Sequence, residues 1–157
     1  MATLEDRVEA LSRTQWLRGM SWMQLELLAG YMAPERASAG ALLVEEGQRA
    51  AAASVIVSGS VHVAKRDASG VDRVVARLRA GHCFGEISLL DGQPSSAFVI
   101  ADTDVVLLTL SAANLEKLSE EKPRLGLELY RRLGRLASQH LRQTTSRLVD
   151  SLHDEEF

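Results

Sequence analysis

The sequence predicts an α+β fold, namely an antiparallel β-roll (a jelly-roll-like barrel) flanked by N-terminal helices and a long C-terminal helix. Apolar residues recur at helical spacing near both ends of the chain. Between these ends, short β-rich runs alternate with turns that contain glycine, aspartate or serine. No internal repeat or linker divides the 157 residues, so one domain is predicted, with helices over 1–34, the roll over 35–110 and helices over 111–152.

Two helices are predicted before the roll. The first is an amphipathic helix of about three to four turns, because apolar residues recur at Leu4, Val8 and Leu11. Ser21 and Gln24 have the spacing of a capping box, which predicts the start of the second helix. Pro34 is predicted to end that helix.

The roll is predicted to contain seven or eight short strands. The pair Ser58-Gly59 between two β-rich runs predicts a hairpin, and Asp67 to Gly70 predicts the next turn. The clearest strands cover residues 42–44, 54–57, 60–65, 71–78, 97–100 and 105–110.

Two helices are predicted after the roll, one capped by Ser111 and a long one from about 124 to 152 that follows Pro123. The long helix has two apolar stripes, one of Leu127, Tyr130, Gly134, Ala137 and Leu141, the other of Leu125, Leu129, Leu133 and Leu136. Two stripes indicate one surface against the roll and one against a partner helix, which predicts a homodimer. A single wide core stripe is the alternative.

Composition excludes several classes of protein. Eighteen Lys and Arg against 21 Asp and Glu give a net charge of −3, which predicts no DNA and no membrane as partner. No apolar run approaches the roughly 18 residues of a membrane span, and the N-terminus has no signal-peptide pattern. Cys83 is the single cysteine, which rules out an internal disulfide and predicts a cytoplasmic protein with this residue buried.

The segment from Phe84 to Leu90 carries the chemistry. It is predicted to form a short turn of helix entered through Gly85, which can bring its backbone close to a ligand. The first N–H groups of such a turn are donors for an anion. The carboxylate of Glu86 suits a neutral diol such as ribose, so a sugar phosphate could be held at both ends.

This segment resembles the phosphate-binding cassette of the cyclic-nucleotide-binding domain family, of the type found in the catabolite activator protein and the regulatory subunit of protein kinase A. The runs Ala39 to Gly47 and Val55 to Val63, and the helices from Leu115 to Leu141, are similar to the same family. The resemblance implies ligand contacts from Phe84, Gly85, Glu86, Ile87, Ser88, Ser95, Ser96 and Ala97. It also implies that the last helix covers the base, with Gln139, His140 and Gln143 as candidates.

The chain departs from the family pattern at the phosphate. Family members usually have an arginine just after the turn, where this chain has Ser95, and no Lys or Arg occurs between Arg79 and Lys117. Losing such a buried charged partner typically costs about 2–5 kcal/mol, or roughly 30- to 4,000-fold in affinity. Hydroxyl and N–H groups of Ser95, Ser96 and Ala97 can return part of this. A cation from elsewhere, such as Arg66 or a partner subunit, would restore the charge.

The predicted function is a regulatory, non-enzymatic ligand sensor that needs no cofactor and signals through its C-terminal helix to a protein partner. Its cyclic nucleotide, cAMP or cGMP, is expected to bind weakly. The alternative is a pseudo-sensor that binds no nucleotide and serves as an interaction scaffold. A cyclic dinucleotide or haem is a further candidate ligand, the latter with His62, His82 or His140 as axial ligand. Since the chain ends at Phe157, no helix-turn-helix is expected after the last helix.

Overall fold

Two four-stranded antiparallel sheets face each other in the computed structural model, which describes residues 3–49 and 51–155. In chain order the strands are β1 (Ala33–Ala37), β2 (Leu42–Val44), β3 (Ala52–Ser58), β4 (Ser60–Arg66), β5 (Asp72–Arg79), β6 (Cys83–Phe84), β7 (Phe98–Ala101) and β8 (Val105–Ser111). One sheet has the order β1-β8-β3-β6 and the other β2-β7-β4-β5. The predicted β-roll is confirmed.

The helices lie before, within and after the roll, as α1 (Leu4–Ser12), α2 (Trp22–Ala29), α3 (Glu86–Asp91), α4 (Ala112–Glu121) and α5 (Pro123–Glu155). The Ser21–Gln24 capping box is present in both directions, and the Ser111 hydroxyl accepts a hydrogen bond from the Asn114 N–H. These caps are as predicted. No helix among residues 3–49 and 51–155 is long and apolar enough to cross a bilayer.

The N-terminal helices are shorter than predicted. Helix α1 has nine residues, and α2 ends at Ala29 with Gly30 as its cap, well before Pro34. Pro34 lies in β1, whose backbone pairs with β8 alone within its sheet. Proline is tolerated there because an edge strand leaves one side of its backbone without ladder hydrogen bonds. The predicted boundary between 34 and 35 therefore falls inside a strand.

The predicted hairpin at Ser58-Gly59 is wrong, because β3 and β4 belong to different sheets. Gly59 has a φ of +89°, and a Cβ there would lie 2.3 Å from the carbonyl oxygen of Asp104. The glycine is the corner at which the chain crosses between the sheets. The hairpin is instead formed by β4 and β5, joined by the turn at Asp67, whose carboxylate accepts from the Ser69 and Val71 N–H groups.

The core has two parts. The smaller one fills the roll between the two sheets and includes Ile56, Val61, Phe84 and Val99. The larger one lies between the β3–β8 side and the helices, and it contains the fully buried α5 residues Leu129 and Leu133. The stripe of leucines that begins at Leu125 is thus the core-facing side of α5.

Helix α2 offers a test of this core. Leu28 is 0% exposed and Met23 is 72% exposed on the same helix. Leu28→Ala should lower the free energy of unfolding by about 2–5 kcal/mol, since it removes buried methyl groups and leaves a cavity. Met23→Ala should change it by less than about 0.5 kcal/mol. Urea unfolding measures both, and equal effects would contradict the placement of α2.

Candidate functional site

The backbone at the start of helix α3 has a conformation and a close contact that require glycine. Gly85 is its N-cap with a φ of +86°, and a Cβ there would lie 2.2 Å from the Ala52 carbonyl oxygen. Only glycine can therefore hold this turn so close to β3. The glycine-led turn predicted from the sequence is present, and its first N–H groups have no acceptor within the helix.

Glu86, the first residue of α3, is buried although it carries a charge. The Nδ1–H of His140 on α5 donates a hydrogen bond to Oε1 of this carboxylate. The Glu86 side chain is only 4% exposed, whereas that of His140 is 32% exposed. The imidazole therefore forms part of what separates the carboxylate from solvent.

The electrostatics of this pair favour a charged imidazole. The hydrogen bond to Glu86 is the main cause that raises the pKa of His140, against the opposing effect of burial, and the charge of Glu86 adds to the rise. Neighbouring His82 behaves oppositely, because burial, Arg79 and His140 lower its pKa. Burial raises the pKa of the Cys83 thiol well above its ordinary value, and Glu86 raises it further.

Ser95, at the position where the resemblance leads one to expect an arginine, is engaged in local hydrogen bonds. Its hydroxyl donates to the Ala97 carbonyl over 2.7 Å and accepts from the Ala97 N–H over 3.3 Å. Its backbone pairs with Gly47 and Gln48 of the loop after β2. Both candidate phosphate donors thus already have acceptors, the hydroxyl in the Ala97 carbonyl and the Ala97 N–H in the hydroxyl oxygen, while Ser96 is exposed.

The other candidates are spread around this centre. Phe84 packs inside the roll, Ile87 is 46% exposed and Ser88 is half-buried. Gln139 and Gln143 are exposed on α5, so His140 is the base-capping candidate that contacts α3 through a hydrogen bond. Whether any of these residues contacts a base stays a prediction.

Arg66, the candidate replacement cation, is engaged with an acid and an aromatic ring. Its guanidinium pairs with Asp72 at 3.0 Å and lies over the Phe98 ring, 5.3 Å from the centroid. A phosphate that recruited Arg66 would therefore compete with the carboxylate of Asp72 for this guanidinium.

The three histidines considered for haem lie in different surroundings. His62 pairs with Asp102 at 2.5 Å on the roll, His82 accepts from the Arg79 N–H at 3.1 Å, and His140 contacts Glu86. No group of three or more His, Cys, Asp or Glu residues that could hold a metal ion occurs in the described part of the chain.

The pairing of His140 with Glu86 was missed by reasoning from the sequence. The signal was available, because the core-facing stripe Leu125, Leu129, Leu133 and Leu136 reaches His140 at the next four-residue step. A histidine in line with buried leucines is placed to meet a buried polar group. The sequence alone does not show which group that is.

Comparison with known proteins agrees with this architecture. The family model for the cyclic nucleotide-binding domain matches residues 34–122. A cyclic nucleotide-gated potassium channel of Rhizobium etli is 38% identical over 57% of this chain and 24% of its own length. A cAMP-dependent protein kinase regulatory subunit of Aspergillus fumigatus is 36% identical over 51% of this chain and 19% of its own length. The chain thus spans less than a third of these relatives.

A solved structure is similar over nearly the whole chain. The crystal structure of a cyclic nucleotide-binding domain from Methylobacillus flagellatus has a TM-score of 0.84 and 26% identity, covering 94% of this chain and 83% of that one. The family model reaches from β1 to the end of α4, which is more than half of the 157 residues. This chain therefore belongs to the cyclic nucleotide-binding domain family.

Proposed function

We propose that the chain is a non-enzymatic regulatory domain that binds cAMP or cGMP weakly and signals through α5 to a partner protein. The contact between Glu86 on α3 and His140 on α5 carries this proposal. A ligand that uses Glu86 changes the position of α5, and a helix with two positions can pass that change to a partner. The two relatives named above, a cyclic nucleotide-gated channel and a cAMP-dependent regulatory subunit, support the ligand class.

Weak binding follows from the chemistry around Ser95. A cyclic phosphate here meets backbone N–H groups and hydroxyls, since the chain has no Lys or Arg between Arg79 and Lys117 and Arg66 is paired with Asp72. Each neutral hydrogen bond contributes about 1 kcal/mol, whereas a buried charged partner contributes about 2–5 kcal/mol. The Ser95 hydroxyl must also leave Ala97 before it can bind a ligand.

A second candidate function is a pseudo-sensor that binds no nucleotide and serves as an interaction scaffold. One observation favours it: both polar groups that would hold the ligand already have partners within the chain. Glu86 is paired with His140, and Ser95 with Ala97.

A non-enzymatic role in a reducing compartment, the cytoplasm, fits the single cysteine. The thiol of Cys83 is 2% exposed and its raised pKa disfavours the thiolate that a nucleophile needs. The net charge of −3 gives no general attraction to DNA or to an anionic membrane.

We also propose a homodimer formed through α5. The outer stripe of this helix is exposed, with Leu127 at 62% and Leu141 at 64%. Gly134 lies midway in that stripe, and a Cβ there would meet nothing within 4 Å in this chain. Gly126, by contrast, is required by close contact with Ser119 on α4. A glycine that the chain itself does not explain supports close approach of a second helix.

Substitution on the stripe tests the homodimer. Leu141→Lys should convert the dimer to a monomer, because two lysines would face each other in a symmetric apolar seam. Met23→Lys, on the exposed face of α2, is the matched control and should leave the dimer intact. Light scattering measures the mass. A wild-type protein that is monomeric at its highest attainable concentration would overturn the homodimer.

Restoring the charge tests the ligand. Ser95→Arg should raise the affinity for cAMP or cGMP by about 30-fold or more, which is the lower end of a buried charged contact. Ser96→Arg, one residue away at an exposed position, adds the same charge and should raise affinity far less. Calorimetry with cAMP, cGMP and cyclic di-GMP on the three proteins gives the comparison. If no protein binds any of them, the pseudo-sensor is the correct function.

A further inference from the structure

Helix α5 changes character at His140. Up to Leu136 its inner side packs into the core, and Leu129 and Leu133 are completely buried. From residue 141 to 154 every residue is exposed. In this second half, the guanidinium of Arg147 donates a hydrogen bond to the Val75 carbonyl of β5 over 2.6 Å. The outer half of α5 is thus docked by polar contacts, with His140 at its border.

His140 is hydrogen-bonded to the carboxylate of Glu86, the same group that a sugar diol would use. The carboxylate of Glu86 is nearly buried while the imidazole beside it is about one-third exposed. A hydroxyl group that takes the place of the imidazole on this carboxylate must displace the hydrogen bond from His140. His140 and Arg147 lie two turns apart on one helix, so the segment between them is held to the rest of the chain by a polar contact at each end.

We propose that residues 137–147 form an autoinhibitory latch, in place of the base-capping role expected for His140, in which His140 competes with a sugar diol for the carboxylate of Glu86, so that ligand binding and undocking of this segment are one event. The identity of the ligand rests on the proposed function above. The latch itself does not, since the contact exists within the chain.

The latch is sensitive to pH in a defined direction. The titratable groups facing His140 are Glu86 on α3 and His82 before β6, with Arg79 beside His82. The pKa of His140 is raised by folding, so the protonated latch is fully stabilised below the ordinary histidine value of about 6.5. Its stability is lost as the pH rises through the higher pKa of the folded state. His82, whose pKa is lowered, takes up its proton only at lower pH.

The first experiment uses no ligand. Amide hydrogen exchange over residues 137–147 should become about tenfold faster in His140→Ala, the loss expected for one charge-assisted hydrogen bond. His62→Ala removes a similar histidine–carboxylate pair, with Asp102, elsewhere on the roll and should leave this segment unchanged. His140→Gln keeps a hydrogen-bond donor without the charge, so its exchange rate should fall between those of the wild type and His140→Ala. Unchanged exchange in His140→Ala would overturn the latch.

The imidazole itself provides a second readout without ligand. In an NMR titration His140 should titrate above the ordinary histidine range in the wild type and return towards it in Glu86→Gln. A His140 pKa that is the same in the wild type and in Glu86→Gln would also overturn the latch, because the pair would then not exist in solution.

The second experiment adds cAMP or cGMP. His140→Ala should bind about tenfold more tightly than the wild type, and wild-type affinity should rise with pH while that of the variant stays level. Faster exchange with equal nucleotide affinity would overturn the competition. Faster exchange with no binding by either protein would overturn the proposed ligand while supporting the latch as a contact.

Discussion

A charged carboxylate that is shielded from water needs a partner, and the rest of the site is arranged around that need at Glu86. Gly85 brings the start of α3 close against Ala52, which places Glu86 inside the molecule. Leaving this acid unpaired would cost several kcal/mol. His140 meets the requirement from α5, 54 residues further along the chain. A local backbone constraint in the roll thereby sets the polar contact that α5 makes beyond its buried leucines.

The two ends of the candidate site have opposite electrostatic character. At the proposed sugar end there is a buried acid with a histidine partner, and at the proposed phosphate end Ser95 stands in a stretch without Lys or Arg from residue 80 to 116. At the proposed phosphate end, the Ser95 hydroxyl and the Ala97 backbone are hydrogen-bonded to each other. Because both ends are satisfied within the chain, a ligand must displace existing contacts at each of them. Affinity is therefore a difference between two sets of hydrogen bonds rather than a gain from empty groups.

Helix α5 has two apolar surfaces, one of which is buried and the other exposed. Its inner leucines belong to the core, and its outer stripe is exposed along most of the helix. The two glycines of its first half show the difference, since Gly126 fits against Ser119 and Gly134 faces open space. One helix can thus link events at α3 to a surface that a second molecule could cover.

Much of the fold was predictable from local patterns. The caps at Ser21 and Ser111, the turn at Asp67 and the glycine-led turn at Gly85 depend on neighbouring residues, so the sequence determined them. The predicted helix end at Pro34 and the predicted hairpin at Gly59 are wrong for a physical reason. A proline can end a helix or lie in an edge strand, and a glycine turn can join paired strands or cross between sheets.

The site divides in the same way. The sequence by itself determined that an acid follows a glycine at the start of a turn, that Ser95 carries no charge and that α5 has two apolar stripes. Only the tertiary structure decided that His140 pairs with Glu86 and that Arg66 is committed to Asp72. Residue type and spacing act over a few positions, whereas these pairs depend on how distant elements pack. Packing of that kind follows from the whole core, which no local pattern contains.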